Sequence, residues 1–258
     1  MDSVNKTLYI PLRGKAYVSG MGILLHDEMA EKIWAAEQFP LKGRSASRYL
    51  AYYMGMRAAV FDAWITEKAR AGMTVLHLGC GLDSRQERTR LTDCRWYDLD
   101  FPEVIRERRR YYTETEYYRM VEADLGRMPL PDLIPAGGEA LVVMEGVSMY
   151  LEPEKLRELL MELTARFDRV TVLMDCYSAF AARASKYRNP VGDVGVTQVH
   201  GVDDPAAAVA GTGLRYLREH EMTPETMICQ LPRRERWIFR KLYAGGFART
   251  LYRIYEFG

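Results

Sequence analysis

Five short apolar runs, at 75–78, 95–100, 120–125, 140–145 and 170–175, recur between segments with helical spacing. That alternation constrains the chain more than any other feature it carries. Strands separated by helices pair in parallel, and a parallel sheet is apolar on both faces, so helices must cover both. The segment "LEPEKLRELLMELTARF" before the last run puts Pro153 at a first helical position, with Leu156, Leu159, Leu160, Leu163 and Phe167 at helical spacing. The first seventy residues also read as helical. There "RAAVFDAWITEKARAG" places Val60, Phe61, Trp64 and Ile65 on one face, and Gly72 stands where a helix would stop. "YYTETEYYR" reads as a further helix, partly packed on the sheet. Downstream, "LRYLREHEM", a helical "RERWIFRKLYAGG" and a terminal "ARTLYRIYEF" add two strands that close one edge. The expected fold class is α/β, with a seven-stranded, mostly parallel sheet and helices on both faces.

Ligands of such open sheets sit at the carboxyl ends of the strands, where strand order reverses. "TVLHLGCGLDSR", at 74–85, is the first strand opening into a glycine turn. Gly79 and Gly81 lack side chains there, so a ligand can lie against the backbone. The dinucleotide fingerprint requires a third glycine three residues later, and Ser84 stands in its place, which weakens an NAD assignment. Roughly twenty residues on, "CRWYDLDFPEV" supplies Asp98 and Asp100, at the spacing of an acid that receives ribose hydroxyls. Period-two alternation points both to one side. Asp100, immediately before Phe101-Pro102, is the better placed.

Charge and cysteine usage narrow the function classes. Lys plus Arg is 36 against 35 Asp plus Glu, so no global basic field invites nucleic acid. No apolar run approaches the ~20 residues of a membrane span. "MDSVNKTLYIPLRGK" has no secretory pattern. Cys80, Cys94, Cys176 and Cys229 are scattered without a C-x-x-C pair, and the four histidines are dispersed, so no metal is expected. These features predict a cytoplasmic, metal-free protein in a reducing compartment, with neither a nucleic-acid nor a membrane partner.

The segments "GCGLDSR", "WYDLDFPEVIRERR" and "VVMEGVSMYLEPEKL", in that order, resemble the leucine carboxyl methyltransferase family, above all its bacterial branch of tetracenomycin-type polyketide O-methyltransferases. "TLYIPLRGKAYVSGMGILLHDEMAEKI" is similar to that branch's opening segment, "RAAVFDAW" to its arginine-bearing helix, and "VHGVDDPAAAVAGTGLRYL", more loosely, to its closing region. The resemblance thus covers nearly the whole chain. It implies a Rossmann-like class I methyltransferase in one domain. Its parts would be a helical N-terminal lid over 1–72, a cofactor-binding core over 73–177, an insertion after the fifth strand over 178–213, and edge strands over 214–258.

The resemblance also implies S-adenosylmethionine as cofactor and a role for each matching residue. Gly79 and Gly81, with Cys80 between them, pass under its methionine part, and Asp100 holds the ribose hydroxyls. Asp124, with the Leu125 backbone, meets the adenine, and Glu145 accepts from the cofactor's ammonium. Arg57 pairs with its carboxylate, a contact suited to a bidentate guanidinium, assisted by Lys15 or else Arg13. Asp83 and Arg85 tie the glycine turn to the lid, while Met144, Met149 and Met161 read as core filler. The acceptor pocket falls to the lid and residues 178–211. A carboxylate acceptor needs no base, whereas a hydroxyl does, and Tyr150, Asp175 and His200 stand nearest the expected strand ends. The function expected is O-methylation of a hydroxyl or carboxylate on a small, polyketide-like molecule. The alternatives are a protein carboxyl methyltransferase, docking through the basic "RERRR", and a non-catalytic or NAD-binding Rossmann protein.

Overall fold

A computed structural model describes residues 7–185 and 199–258. Its sheet has seven strands: β1 (Thr74–Leu78), β2 (Arg95–Asp100), β3 (Tyr118–Glu122), β4 (Glu139–Met144), β5 (Arg169–Tyr177), β6 (Tyr216–His220) and β7 (Tyr252–Phe257). They lie in the order β3-β2-β1-β4-β5-β7-β6. β1 to β5 pair in parallel, and β7 runs antiparallel to both β5 and β6. The winding reverses between β1 and β4, and their carboxyl ends diverge there.

β1 is buried along its whole length, as a central parallel strand must be. Alternation sorts its residues between two cores. Val75 joins Trp96, Leu141, Leu173 and Ile254 in the core that holds the N-terminal helices α1 (Tyr9–Gly20), α2 (Glu28–Glu37) and α3 (Arg48–Lys68). Leu76 and Leu78 join Leu99, Val142 and Val172 on the opposite face. After the short α4 (Arg85–Thr89) and α5 (Pro102–Arg108), α6 (Pro153–Arg166) covers that face with Leu156, Leu159, Leu160 and Leu163, and Pro153 begins it as expected. α7 (Ala179–Ser185), α8 (Pro205–Ala208), α9 (Glu225–Ile228) and α10 (Arg233–Phe239) follow, then a π-helical turn (Arg240–Ala244) and α11 (Gly246–Arg249).

Several local expectations are corrected. α3 buries fourteen of its 21 residues. It ends at Lys68, short of Gly72, which at φ +83° turns the chain into β1 and donates its N–H to the Asp93 carbonyl. "YYTETEYYR" is no helix. The side chains of Glu114 and Thr115 accept from the Met120 and Tyr118 N–H groups (2.7 and 3.1 Å), which start β3 instead. β3 stops at Glu122, leaving Asp124 and Leu125 beyond it. Met144 and Met149 are core residues, but Met161 is 53% exposed. Of the expected insertion, residues 186–198 lie outside the described residues.

Candidate active site

The carboxyl ends of β1 to β5 open on one cavity of about 1140 Å³. The glycine turn forms its floor. Gly79 has φ +66°, and a Cβ on it would lie 2.2 Å from Val147 Cγ2, so both backbone conformation and space exclude a side chain. The Gly79 and Cys80 N–H groups donate to the Leu99 carbonyl (2.8 and 3.1 Å), and Gly81 N–H donates to Asp100 Oδ2 (2.8 Å). The Cys80 thiol is buried, and burial raises its pKa far above the ordinary range.

Asp100 closes this latch, since its Oδ1 accepts from the Phe101 N–H (2.8 Å). A carboxylate offers about four lone pairs, so each oxygen keeps one for a further donor. Burial raises the Asp100 pKa to about 6. Asp98, two residues earlier, is fully occupied and wholly buried. Its Oδ2 accepts from Arg108 and the Tyr118 hydroxyl, and its Oδ1 accepts from Trp96 Nε1 (2.8 Å) and lies 3.2 Å from His77 Nδ1. Burial pushes its pKa up, but Arg108, His77 and Tyr118 outweigh it and hold it at about 2. Of the two acids, Asp100 lines the cavity. Asp124 and Leu125 line it too; the half-buried Asp124 also caps its own turn, accepting from Gly126 N–H (3.0 Å) and pairing with Arg127 (3.1 Å).

Glu145, just past β4, sits between two arginines. It accepts from Arg57 Nε (3.0 Å) and from Arg85, whose Nε also pairs with Asp62 of α3 (2.7 Å). Arg85 and Asp83 thus tie the glycine turn to the N-terminal helices, as expected. Asp83 takes Lys15 of α1 (3.4 Å) and Arg88 (2.6 Å), and Arg88 reaches Asp27 and Asp62 (2.6 and 2.7 Å). Burial disfavours the Glu145 carboxylate, yet Arg85 and Arg57 more than offset it and hold its pKa at about 2. Arg57 Nη1 donates to Asp175 (3.1 Å) and to the Tyr252 hydroxyl (2.6 Å). Among the described residues no hydrogen bond reaches Arg57 Nη2. Lys15 lines the cavity, whereas Arg13 donates to the Ser47 carbonyl (3.2 Å).

The lining also carries aromatic rings that meet one another, among them Tyr53, Tyr177, Phe180, Tyr243, Phe247 and Tyr252. Three of these come from the C-terminal segment, which the sequence pattern reads as a helix and edge strands without site residues. Tyr150 lines the cavity; Asp175 is wholly buried behind Tyr252; the His200 N–H donates to the Met149 carbonyl (2.7 Å). Three arginines of "RERRR" are engaged with carboxylates: Arg108 with Asp98, Arg109 with Glu122, and Arg110 with Glu37 and Glu107.

Residues 11–164 match the leucine carboxyl methyltransferase family. The tetracenomycin polyketide synthesis O-methyltransferase of Streptomyces glaucescens is 31% identical over 186 residues, 70% of this chain and 69% of that protein. This chain belongs to the leucine carboxyl methyltransferase family. An S-adenosyl-L-methionine-dependent methyltransferase of Gibberella zeae is 30% identical over 135 residues, 48% of this chain and 45% of that protein. Two solved structures share the fold at 12% identity and a TM-score of 0.51. One is the S-adenosylmethionine dependent methyltransferase of Mesorhizobium loti (72% of this chain, 91% of that one). The other is magnesium protoporphyrin IX methyltransferase of Synechocystis with bound SAH (89% and 92%). The protein is an S-adenosylmethionine-dependent methyltransferase with a Rossmann-like sheet.

Two features of this methyltransferase escaped the sequence pattern. Arg85, which ties the glycine turn to the N-terminal helices, also neutralises Glu145 at the cavity wall. The aromatic wall from Tyr243 to Tyr252 had a signal in the paired Gly245-Gly246 among aromatics, but nothing in the pattern says which neighbour those rings meet.

Proposed function

We propose that this methyltransferase transfers the methyl group to an oxygen of a small, flat, largely apolar molecule of polyketide type. The aromatic rings among the cavity's lining residues carry this reading: Tyr53, Tyr177, Tyr243 and Tyr252 stand in mutual ring contact. Aromatic walls suit a planar ring system, through stacking and burial of apolar area. The name of the Streptomyces relative, which places it in tetracenomycin polyketide synthesis, supports the same substrate class.

The polar residues of the lining fit the cofactor. Asp100, with one lone pair free on each oxygen, would accept two ribose hydroxyls. Gly79, Cys80 and Gly81 would pass beneath the methionine chain, and Asp124 and Leu125 would edge the adenine. Glu145 would take the ammonium, with Arg57 Nη2 and Lys15 on the carboxylate side. When bound, S-adenosylmethionine supplies a methyl carbon already activated by its sulfonium. The protein's tasks are to orient the acceptor, exclude water and deal with any acceptor proton. Engagement of the "RERRR" arginines within the molecule weakens the protein-substrate alternative.

Titration calorimetry and product analysis test this. S-adenosylmethionine and S-adenosylhomocysteine should bind with micromolar affinity, about −8 kcal/mol, and NAD should not. Labelled methyl should reach aromatic hydroxy or carboxy compounds. Transfer to the terminal carboxylate of peptides, with none to small aromatics, would overturn the reading.

A further inference from the structure

We propose that Arg108 and Tyr112 are positioning residues for the cofactor, clamping the carbonyl side of the glycine turn so that it is in place before S-adenosylmethionine arrives. This rests on the reading of Gly79, Cys80 and Gly81 as the floor beneath the methionine part. It extends that reading to two residues outside the cavity lining.

The turn needs holding. Gly79 and Gly81 both have positive φ (+66° and +53°), and glycine has the most backbone freedom to lose on ordering. Its N–H side is fixed by the end of β2, where Leu99 and Asp100 accept from Gly79, Cys80 and Gly81. Its carbonyl side is held from the helix that follows. Arg108 Nη1 donates to the Gly81 carbonyl (3.1 Å), and the Tyr112 hydroxyl donates to the Leu82 carbonyl (3.0 Å). Arg108 ends α5, and Tyr112 stands one turn on, its N–H bonded to the Arg108 carbonyl (3.1 Å). The two side chains act together, because the guanidinium lies over the Tyr112 ring, 4.1 Å from its centroid. Consecutive carbonyls of the turn are thus gripped by side chains in contact.

Burial makes the grip rigid, since both side chains lie inside the molecule. Nη2 of Arg108 donates to Asp98, which neutralises it, and Nε donates to the Tyr118 hydroxyl (3.2 Å). Each of the three guanidinium nitrogens therefore has a different partner: one on β2, one on β3 and one on the turn. Asp98 also lies 3.2 Å from Nδ1 of His77 on β1, and His77 lines the cavity. The clamp thus refers the turn to three neighbouring strands at once. A lysine at this place would still neutralise Asp98, but without the planar fork that divides the contacts. A turn already held in its binding shape spares the ligand the entropy of ordering it, so the clamp acts on affinity without touching the ligand.

The test titrates S-adenosylhomocysteine and methylthioadenosine into the wild type, Tyr112→Phe and Arg108→Lys. Tyr112→Phe keeps the ring under the guanidinium and removes only the hydrogen bond to Leu82. Its affinity for S-adenosylhomocysteine should fall about fivefold, with the apo Tm nearly unchanged. Arg108→Lys keeps a charge beside Asp98 and should lose on the order of tenfold. Methylthioadenosine lacks the amino-acid end that crosses the turn, so its affinity should stay within about twofold in both variants. Unchanged S-adenosylhomocysteine affinity in Tyr112→Phe overturns the inference, as do equal losses for the two ligands. Asp100→Ala is the control for the reading beneath it. If that variant weakens S-adenosylhomocysteine and Tyr112→Phe does not, the clamp alone falls. If neither weakens it, the glycine turn is not the cofactor's floor, and both fall.

Discussion

Asp98 and Asp100 stand two residues apart on one strand, yet one serves the core and the other faces the cavity. Asp98→Ala leaves Arg108 buried without its carboxylate, so we expect a loss of about 3–5 kcal/mol in unfolding free energy. Asp100→Ala should instead cost about 2 kcal/mol or more in cofactor binding, with little change in the apo Tm. Equal destabilisation by both would contradict the division. Their pH signatures are opposite. Asp98 is held at about 2, below its unfolded value, so its contribution is present above pH 4 and fades as pH falls toward 2. Asp100 is raised to about 6, so its contribution is present below pH 4 and disappears as pH climbs through 6. Ribose hydroxyls donate to the carboxylate form. Cofactor binding should therefore release protons near pH 6 and tighten above it, a dependence that Asp100→Asn abolishes; calorimetry in buffers of different ionisation enthalpy measures it. The pattern DLD showed where the acids fall, but strand periodicity cannot separate them. What separates them is Arg108, eight residues past the strand, and the sequence does not show its contact.

Among the elements, α1 and α3 divide what the sequence pattern treated as one lid. α3 lies in the core and carries Arg57 and Asp62 into the ion pairs beside the cavity, while α1 lines the cavity with Ile10, Leu12 and Lys15. Cofactor binding should accordingly slow amide exchange over residues 7–20 and leave α3 unchanged; protection spread evenly over both would restore a single moving lid. Arg57→Ala should weaken S-adenosylhomocysteine more than methylthioadenosine, which lacks the carboxylate, because Nη2 is the arm left open to it. Equal losses would make Arg57 purely structural. The strands and α6 were legible because their periods of two and 3.6 match simple burial on a sheet. The C-terminal segment was not. Its π-helical turn and aromatic face are fixed by distant partners, Tyr243 against Tyr53 (5.0 Å) and Phe239 against Tyr52 (6.3 Å), which no local pattern encodes.

At the scale of the molecule, the cavity lies where three separate stretches of chain meet: the N-terminal helices, the parallel strand ends and the C-terminal segment. A ligand there touches all three and binds only when they are assembled. Binding to the folded state alone stabilises by RT ln(1 + [L]/Kd), about 2.7 kcal/mol at a hundredfold excess over Kd. For a chain of this size that is roughly 5–10 °C in Tm. S-adenosylhomocysteine should produce a shift of that size by scanning fluorimetry, and NAD none. Adding 2-naphthoate, a flat aromatic acid, should raise it further if the aromatic lining takes the acceptor as proposed. A second ligand that cancels the first shift would mean that both occupy one space, and the separate placement of cofactor and acceptor would fall with it.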